Sequence, residues 1–210
     1  MGSVLGKISV ETPKYEVIQK TEDYEIRNYP PAVVAEVTYD PSQMKGGDRD
    51  GGFSILANYI GALGKPQNTN PEKIPMTAPV VTKAAAGGAD GGGEEIPMTA
   101  PVVTKDAGGE AGKKLVTMQF ILPSKYRKAE EAPKPLDERV VIKEECGKKY
   151  GVVKFSGVAK EAVVEETAGK LRKRLERDGH KVIGEHLLAR YNPPWTLPPL
   201  RTNEVLVQIE

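Results

Sequence analysis

The chain of 210 residues has few of the side chains that form disulfides or bind metals. Cys146 is the only cysteine, which excludes an internal disulfide and fits a reducing compartment. His180 and His186 are the only histidines, and their spacing does not match a zinc site. The sequence also has no paired nucleophile and base and no glycine-rich phosphate loop. We therefore do not expect an enzyme.

Charge and hydropathy exclude two further classes of protein. The 30 basic and 29 acidic residues nearly cancel, whereas a nucleic-acid surface normally shows as a basic excess. No apolar run approaches the roughly 18–20 residues of a membrane span, and the N-terminus lacks the apolar region of a signal peptide. We expect a cytoplasmic protein with no nucleic-acid partner and no transmembrane segment.

Hydrophobic periodicity predicts an α+β protein. Strand patterns are found at 15–20, 24–29, 32–40, 115–122, 139–145, 149–156, 182–191 and 204–209. Helical spacing predicts a helix over 52–63, ending at Gly64, and a second helix over 159–178. The order of these elements contains two β-α-β-β units, which can join into one antiparallel sheet with a helix against each half.

One decapeptide, IPMTAPVVTK, occurs at 74–83 and again at 96–105, separated by a glycine-rich stretch. Antiparallel neighbours alternate in direction, so only one strand fits between helix 52–63 and strand 115–122. Both copies therefore cannot occupy ordinary places in the sheet, and we favour the first copy there. We predict an N-terminal tail over 1–14 and a single domain over 15–210, with a flexible duplicated insert within 74–114.

Three motifs carry a resemblance to a known family. The segments KIPMTAPV, FILPSKY followed by PKPLDERVVI, and ARYNPPWTLPPLRTNEV resemble the SOUL family of heme-binding proteins. The resemblance runs from about Tyr15 to Glu210. It implies a distorted antiparallel β-barrel of two β-α-β-β repeats with two flanking helices, and reversible binding of heme.

The resemblance also implies where a tetrapyrrole binds, namely in an apolar cleft over the first helix. The matching positions in this chain are Phe53, Leu56, Ala57 and Ile60. Ala57 stands where some members have methionine. The basic residues that some members place at the rim for the propionates match Asn58 and Thr196, so Lys65 and Arg201 are the candidate replacements. Some members use an early axial histidine, but this chain has no histidine before His180.

Two functions from different classes remain open from the sequence. The first is reversible binding of heme, or of protoporphyrin IX, by an intracellular carrier or buffer. The second is a sensor or adaptor that binds another small hydrophobic ligand and acts through a protein partner of unknown identity. We expect a monomer or a weak dimer. The segment NPPWTLPP fits a proline-rich recognition motif, but we favour a rigid turn between strands.

Overall fold

The computed structural model describes residues 7–40, 51–84, 115–193 and 195–210. These residues form nine β-strands and two α-helices: β1 (Glu16–Lys20), β2 (Glu25–Tyr29), β3 (Ala32–Tyr39), α1 (Gly51–Ile60), β4 (Val80–Ala84), β5 (Val116–Ile121), β6 (Val140–Glu145), β7 (Lys148–Phe155), α2 (Glu161–Arg177), β8 (Val182–Arg190) and β9 (Asn203–Ile209). Helix α1 ends earlier than predicted because Gly61, rather than Gly64, follows its last turn with a φ of 77° and donates its N–H to the Asn58 carbonyl.

All nine strands belong to one antiparallel sheet, in the order β1-β2-β7-β9-β8-β4-β5-β3-β6. The predicted β-α-β-β units are confirmed as β3-α1-β4-β5 and β7-α2-β8-β9. Each unit places its last strand in the middle of its own three strands, and the two units meet where β4 pairs with β8.

The closed barrel that the resemblance implied is not found among the described residues, where β1 and β6 are the two edges of an open sheet. Closing it would require β1 to pair with β6. Both strands instead carry charged side chains, including Glu16 and Lys20 on β1 and Lys143 and Glu145 on β6. Charges on an outer strand are a common way in which a sheet edge resists further pairing.

The two helices lie on the same face of the sheet. Alternate residues of β3 and β5, such as Ala35 and Met118, pack against α1 in one buried hydrophobic cluster. Val205 and Val207 of β9 pack against α2 in a second cluster. Since side chains alternate between the two faces of a strand, the residues between these positions point to the opposite face.

A glycine allows close approach at each helix–sheet contact. A Cβ on Gly52 of α1 would lie 2.5 Å from a ring carbon of Tyr39, and one on Gly151 of β7 would lie 2.6 Å from a methyl carbon of Leu175. Real Cβ atoms do not approach neighbours so closely. Each helix can therefore pack this close to the sheet only because glycine has no side chain at the point of contact.

The first copy of the decapeptide supplies β4, which pairs with β5 on one side and with β8 on the other. Its Ala78–Pro79 peptide bond is cis. The second copy, at 96–105, lies outside the described residues. Part of the predicted tail contacts the first copy, because the carbonyl of Glu11 accepts a hydrogen bond of 2.9 Å from the N–H of Ala78.

Candidate functional site

A cavity of about 510 Å³ lies on the face of the sheet opposite the helices. We call it the sheet cavity. Its apolar floor comes from the central strands and includes Val81, Ile121, Leu187, Ala189 and Leu206. Residues 11–14 and the polar segment after β5 contribute to its border. Its volume falls within the range of about 300–1,000 Å³ that is usual for small-molecule sites.

Four tyrosines line the sheet cavity, and three of them pack together as one wall: Tyr29 of β2, Tyr150 of β7 and Tyr191 just after β8. The fourth, Tyr126, belongs to the segment after β5. The rings of Tyr29 and Tyr150 meet edge to face with 5.8 Å between their centroids. Burial raises the pKa of Tyr29 to about 12 against the opposing effect of Arg27. Burial and the Glu145 carboxylate raise the pKa of Tyr150 to about 12 as well. The phenols are therefore neutral at physiological pH.

A buried ion pair lies beside this wall. Arg27 and Glu204, both almost fully buried, are joined by a 3.0 Å hydrogen bond from Nη1 to Oε1. Arg27 Nε also donates to Glu25 Oε2 at 2.9 Å, and Nη1 donates to the Tyr29 hydroxyl oxygen at 3.2 Å. The Tyr191 hydroxyl donates to Glu204 Oε2 at 2.7 Å. Each carboxylate therefore has a cationic partner, as buried charges require.

Charged side chains also border the sheet cavity. Glu145 pairs with Lys148 at 2.9 Å, and Lys83 lies 3.5 Å from Glu36. Lys14 and Arg127 also line the cavity, and their side chains make no ion pair within the described residues. Two cations thus remain available at the border.

The six residues predicted from the resemblance lie elsewhere. Leu56, Ala57 and Ile60 are 0–2% exposed and pack between α1 and the sheet, whereas Phe53 is half-buried with its ring 5.5 Å from that of Phe120. Lys65 is exposed, and Arg201 Nε donates to the Thr196 carbonyl at 2.8 Å. None of these six residues is among the described residues that line the sheet cavity. A ligand site at these positions remains a prediction.

The sequence analysis did not identify the cavity residues, because their hydrophobic periodicity is that of ordinary strand residues. One signal was present in β9, where Glu204 and Gln208 alternate with Val205 and Val207 in the middle of a wide sheet. Polar residues at such positions indicate a face that is not simply packed core. The tyrosines lie at or near strand ends, and only pairing of distant strands brings them together.

Neither histidine lines the sheet cavity. His186 lies on the helix face of β8, with its Nε2 3.9 Å from Glu165 of α2, and His180 follows the end of α2. Across the described residues, no group of three metal-binding side chains is present. A ligand in the cavity would therefore be held by apolar contacts to its faces and by hydrogen bonds to its acceptor atoms, rather than by an imidazole ligand to a metal.

The sequence profile described as SOUL heme-binding protein matches residues 10–90 and 85–208. The chain belongs to this family. Each matched region contains one copy of the decapeptide, and the two regions overlap at 85–90, between the copies. No curated protein matches the chain.

Solved structures share the fold of this SOUL-family chain at low sequence identity. The C-terminal domain of EcmrR has a TM-score of 0.55 and 10% identity, over 93% of this chain and 98% of that one. An uncharacterized conserved protein from Listeria innocua has a TM-score of 0.56 and 12% identity, over 90% and 93%. EcmrR in its complex with DNA has a TM-score of 0.53 and 10% identity, over 89% and 57%. These likenesses concern the fold alone.

Within the part of the chain that the structure describes, no helix is long and apolar enough to cross a membrane.

Proposed function

We propose that this SOUL-family protein binds heme or another tetrapyrrole reversibly in the sheet cavity. The observation that carries the proposal is the cavity itself, with an apolar floor, a tyrosine wall and cations at its border. A tetrapyrrole has wide apolar faces and carboxylates at one edge. The floor suits the faces, and the cations and hydroxyl groups suit the carboxylates.

The energetics of such binding favour a carrier or buffer. Burial of apolar surface contributes roughly 25 cal/mol per Å², so apolar contact alone supports weak to moderate affinity. With no histidine at the cavity, ligation by imidazole does not contribute to affinity there. We propose reversible carriage of heme or protoporphyrin IX, without catalysis. The cytoplasmic location and the monomer or weak dimer remain predictions.

The second candidate function is a sensor or adaptor that passes the state of the cavity to a protein partner. The observation that favours it is β1, an edge strand whose five residues are all exposed, with Val17 45% and Ile18 54% accessible. An exposed edge strand is a surface to which another chain can add a strand. This function predicts that other hydrophobic compounds bind and that tetrapyrroles produce no Soret change.

The decisive experiment is a tetrapyrrole titration of matched aspartate variants. Ile121→Asp places a carboxylate on the half-buried floor of the cavity, and Ile18→Asp makes the same change at an exposed site on β1. We expect Ile121→Asp to weaken heme binding tenfold or more, because the new charge is desolvated by the bound ligand. Ile18→Asp should bind as the unmodified protein does. Absorbance at the Soret band gives the affinity, and circular dichroism checks the fold.

The same titration separates the sheet cavity from the α1 cleft implied by the resemblance. Phe53→Asp changes the half-buried aromatic residue of α1 and leaves the cavity unchanged. Weaker binding in Phe53→Asp together with full affinity in Ile121→Asp would move the site to α1. The absence of any Soret change in the unmodified protein would reject tetrapyrrole binding itself.

A further inference from the structure

The three tyrosines of the cavity wall, Tyr29, Tyr150 and Tyr191, differ in the hydrogen bonds that their hydroxyl groups make. An arginine side chain has donors only, so the Tyr29 oxygen must accept in its contact with Arg27. A carboxylate has acceptors only, so Tyr191 must donate in its contact with Glu204. Tyr29 therefore keeps its proton for another partner, whereas the proton of Tyr191 is already used.

Tyr150 has a second available proton on the same wall. Its hydroxyl makes no hydrogen bond within the described residues, although its ring is half-buried. In the pairing of β2 with β7, Tyr150 lies directly opposite Arg27, and Tyr29 lies two residues further along β2. Residues two apart on a strand share a face, so both hydroxyl groups belong to the cavity face.

The carboxylates next to this wall are already paired with cations, including Glu145, which acts on Tyr150 but is itself paired with Lys148 at 2.9 Å. Glu25 and Glu204 are both bound by Arg27, and Lys20 adds a second cation to Glu25 at 3.0 Å. No carboxylate of this network remains for a cationic ligand. The guanidinium of Arg27 also withdraws electron density from the Tyr29 oxygen, which makes its O–H a stronger donor.

We propose that the hydroxyl groups of Tyr29 and Tyr150 donate hydrogen bonds to a carboxylate of the ligand, so that the sheet cavity selects apolar carboxylic acids over the corresponding neutral esters. This specificity rests on the proposed function, because it assumes that the ligand enters the sheet cavity. Both phenols remain protonated, and so remain donors, throughout the physiological pH range.

The test compares protoporphyrin IX with its dimethyl ester, which keeps the macrocycle and lacks free carboxylates. A hydrogen bond to a charged acceptor is worth enough to change affinity roughly tenfold. We expect the unmodified protein to bind the acid about tenfold or more tightly than the ester. The double variant Tyr29→Phe, Tyr150→Phe should bind both with the affinity of the ester, and each single variant should fall between.

Tyr15→Phe is the matched control, because the centroid of the Tyr15 ring lies 5.3 Å from that of Tyr29 but Tyr15 does not line the sheet cavity. It should keep the full preference for the acid. Circular dichroism confirms that each variant folds. If Tyr29→Phe does not fold, Tyr150→Phe alone carries the test, because its hydroxyl supports no other group of the described chain.

Two results would overturn the proposal. One is equal affinity for acid and ester in the unmodified protein. The other is a preference that persists in the double phenylalanine variant and disappears in Lys14→Gln, Arg127→Gln, which would place the carboxylate at the border. Failure of the proposed function looks different, because both compounds would then bind Ile121→Asp as tightly as the unmodified protein.

Discussion

Arg27 is a cation buried within the sheet, with its guanidinium nitrogens directed to Glu25, Glu204 and Tyr29. Its plane also lies over the ring of Tyr15, 4.2 Å from the centroid. Desolvation acts against the charged form, but the surrounding hydroxyl and carboxylate groups dominate and raise the pKa of Arg27 above its ordinary value. Such a network keeps its charges only as a complete set, because removing one partner leaves another buried and unpaired.

Leu56 of α1 shows the opposite situation, a residue that is buried only among apolar neighbours. It is 0% exposed, so Leu56→Asp would place an unpaired carboxylate in the core. We expect a loss of about 3–5 kcal/mol in the free energy of unfolding, or failure to fold, measured by urea denaturation. Ser54→Asp changes an exposed position of the same helix and should be nearly neutral. A stable, folded Leu56→Asp protein that no longer binds heme would restore the α1 cleft as the site.

At the scale of elements, β4 and β5 form an antiparallel pair in which Ala84 lies opposite Val116. The chain between these residues has only to connect the end of β4 to the adjacent start of β5. The entropy of closing a loop grows slowly with its length, so the pair tolerates connections of very different lengths. Pairing with β5 and β8, rather than the connection, holds β4 in the sheet.

Deleting residues 84–105 tests the role of the second decapeptide. The deletion joins Lys83 to Asp106 and keeps the copy that supplies β4. Loop closure changes by only about 0.5–1 kcal/mol, so we expect a folded protein with a melting temperature near that of the parent and heme binding largely retained. An insoluble or molten product would show that both copies are structural. Deleting residues 74–95, which removes the first copy, is the matched control and reports whether the second can replace it.

At the scale of the whole molecule, a group of polar and charged side chains links the two β-α-β-β units through β6. Gln119 of β5 donates to Glu36 of β3 and to Glu145 of β6, and Lys148 at the start of β7 pairs with Glu145. Burial acts to raise the pKa of Glu145, but the hydrogen bond and charge of Lys148 outweigh it and lower that pKa from 4.5 to about 2. For Glu36, burial is likewise outweighed by Lys143, and its pKa is lowered.

These lowered pKa values predict acid sensitivity of the fold. A carboxyl group whose pKa is lower in the folded state stabilises the protein above its unfolded pKa, and this contribution is lost as the pH falls. For Glu145 the loss occurs between about pH 4.5 and pH 2. Glu145→Gln should be about 1–2 kcal/mol less stable at pH 7 and show a weaker decline below pH 4.5. Urea denaturation at pH 7, 4.5 and 2.5 measures both effects.

Glu16→Gln is the control for this experiment, because Glu16 is exposed on β1 and makes no ion pair among the described residues. It should follow the pH profile of the unmodified protein. An identical decline in Glu145→Gln and the unmodified protein would show that Glu145 does not contribute to acid sensitivity.

The sequence by itself determined the elements, their order and the family. Helical spacing and strand alternation are local patterns, so α2 could be predicted from Val164, Ala168, Leu171 and Leu175 without knowledge of its neighbours. The β-α-β-β repeat follows from the same order, and the motifs around Pro79 and Trp195 identify the family. Strand parity also predicts that the two decapeptides do not both occupy ordinary sheet positions, and for the second copy this stays a prediction.

Only the tertiary structure decided which face of the sheet holds a cavity and whether the sheet closes. Alternation shows that Leu206 and Val207 point to opposite faces, but it does not show which face the helices cover. The apolar stripe of α1 was consistent both with a helix packed on the core and with a helix that lines a ligand cleft, because both require apolar side chains on one face. Tyr29, Tyr150 and Tyr191 meet through β2, β7 and β8, whose pairing across the sheet is a long-range property that no local pattern contains.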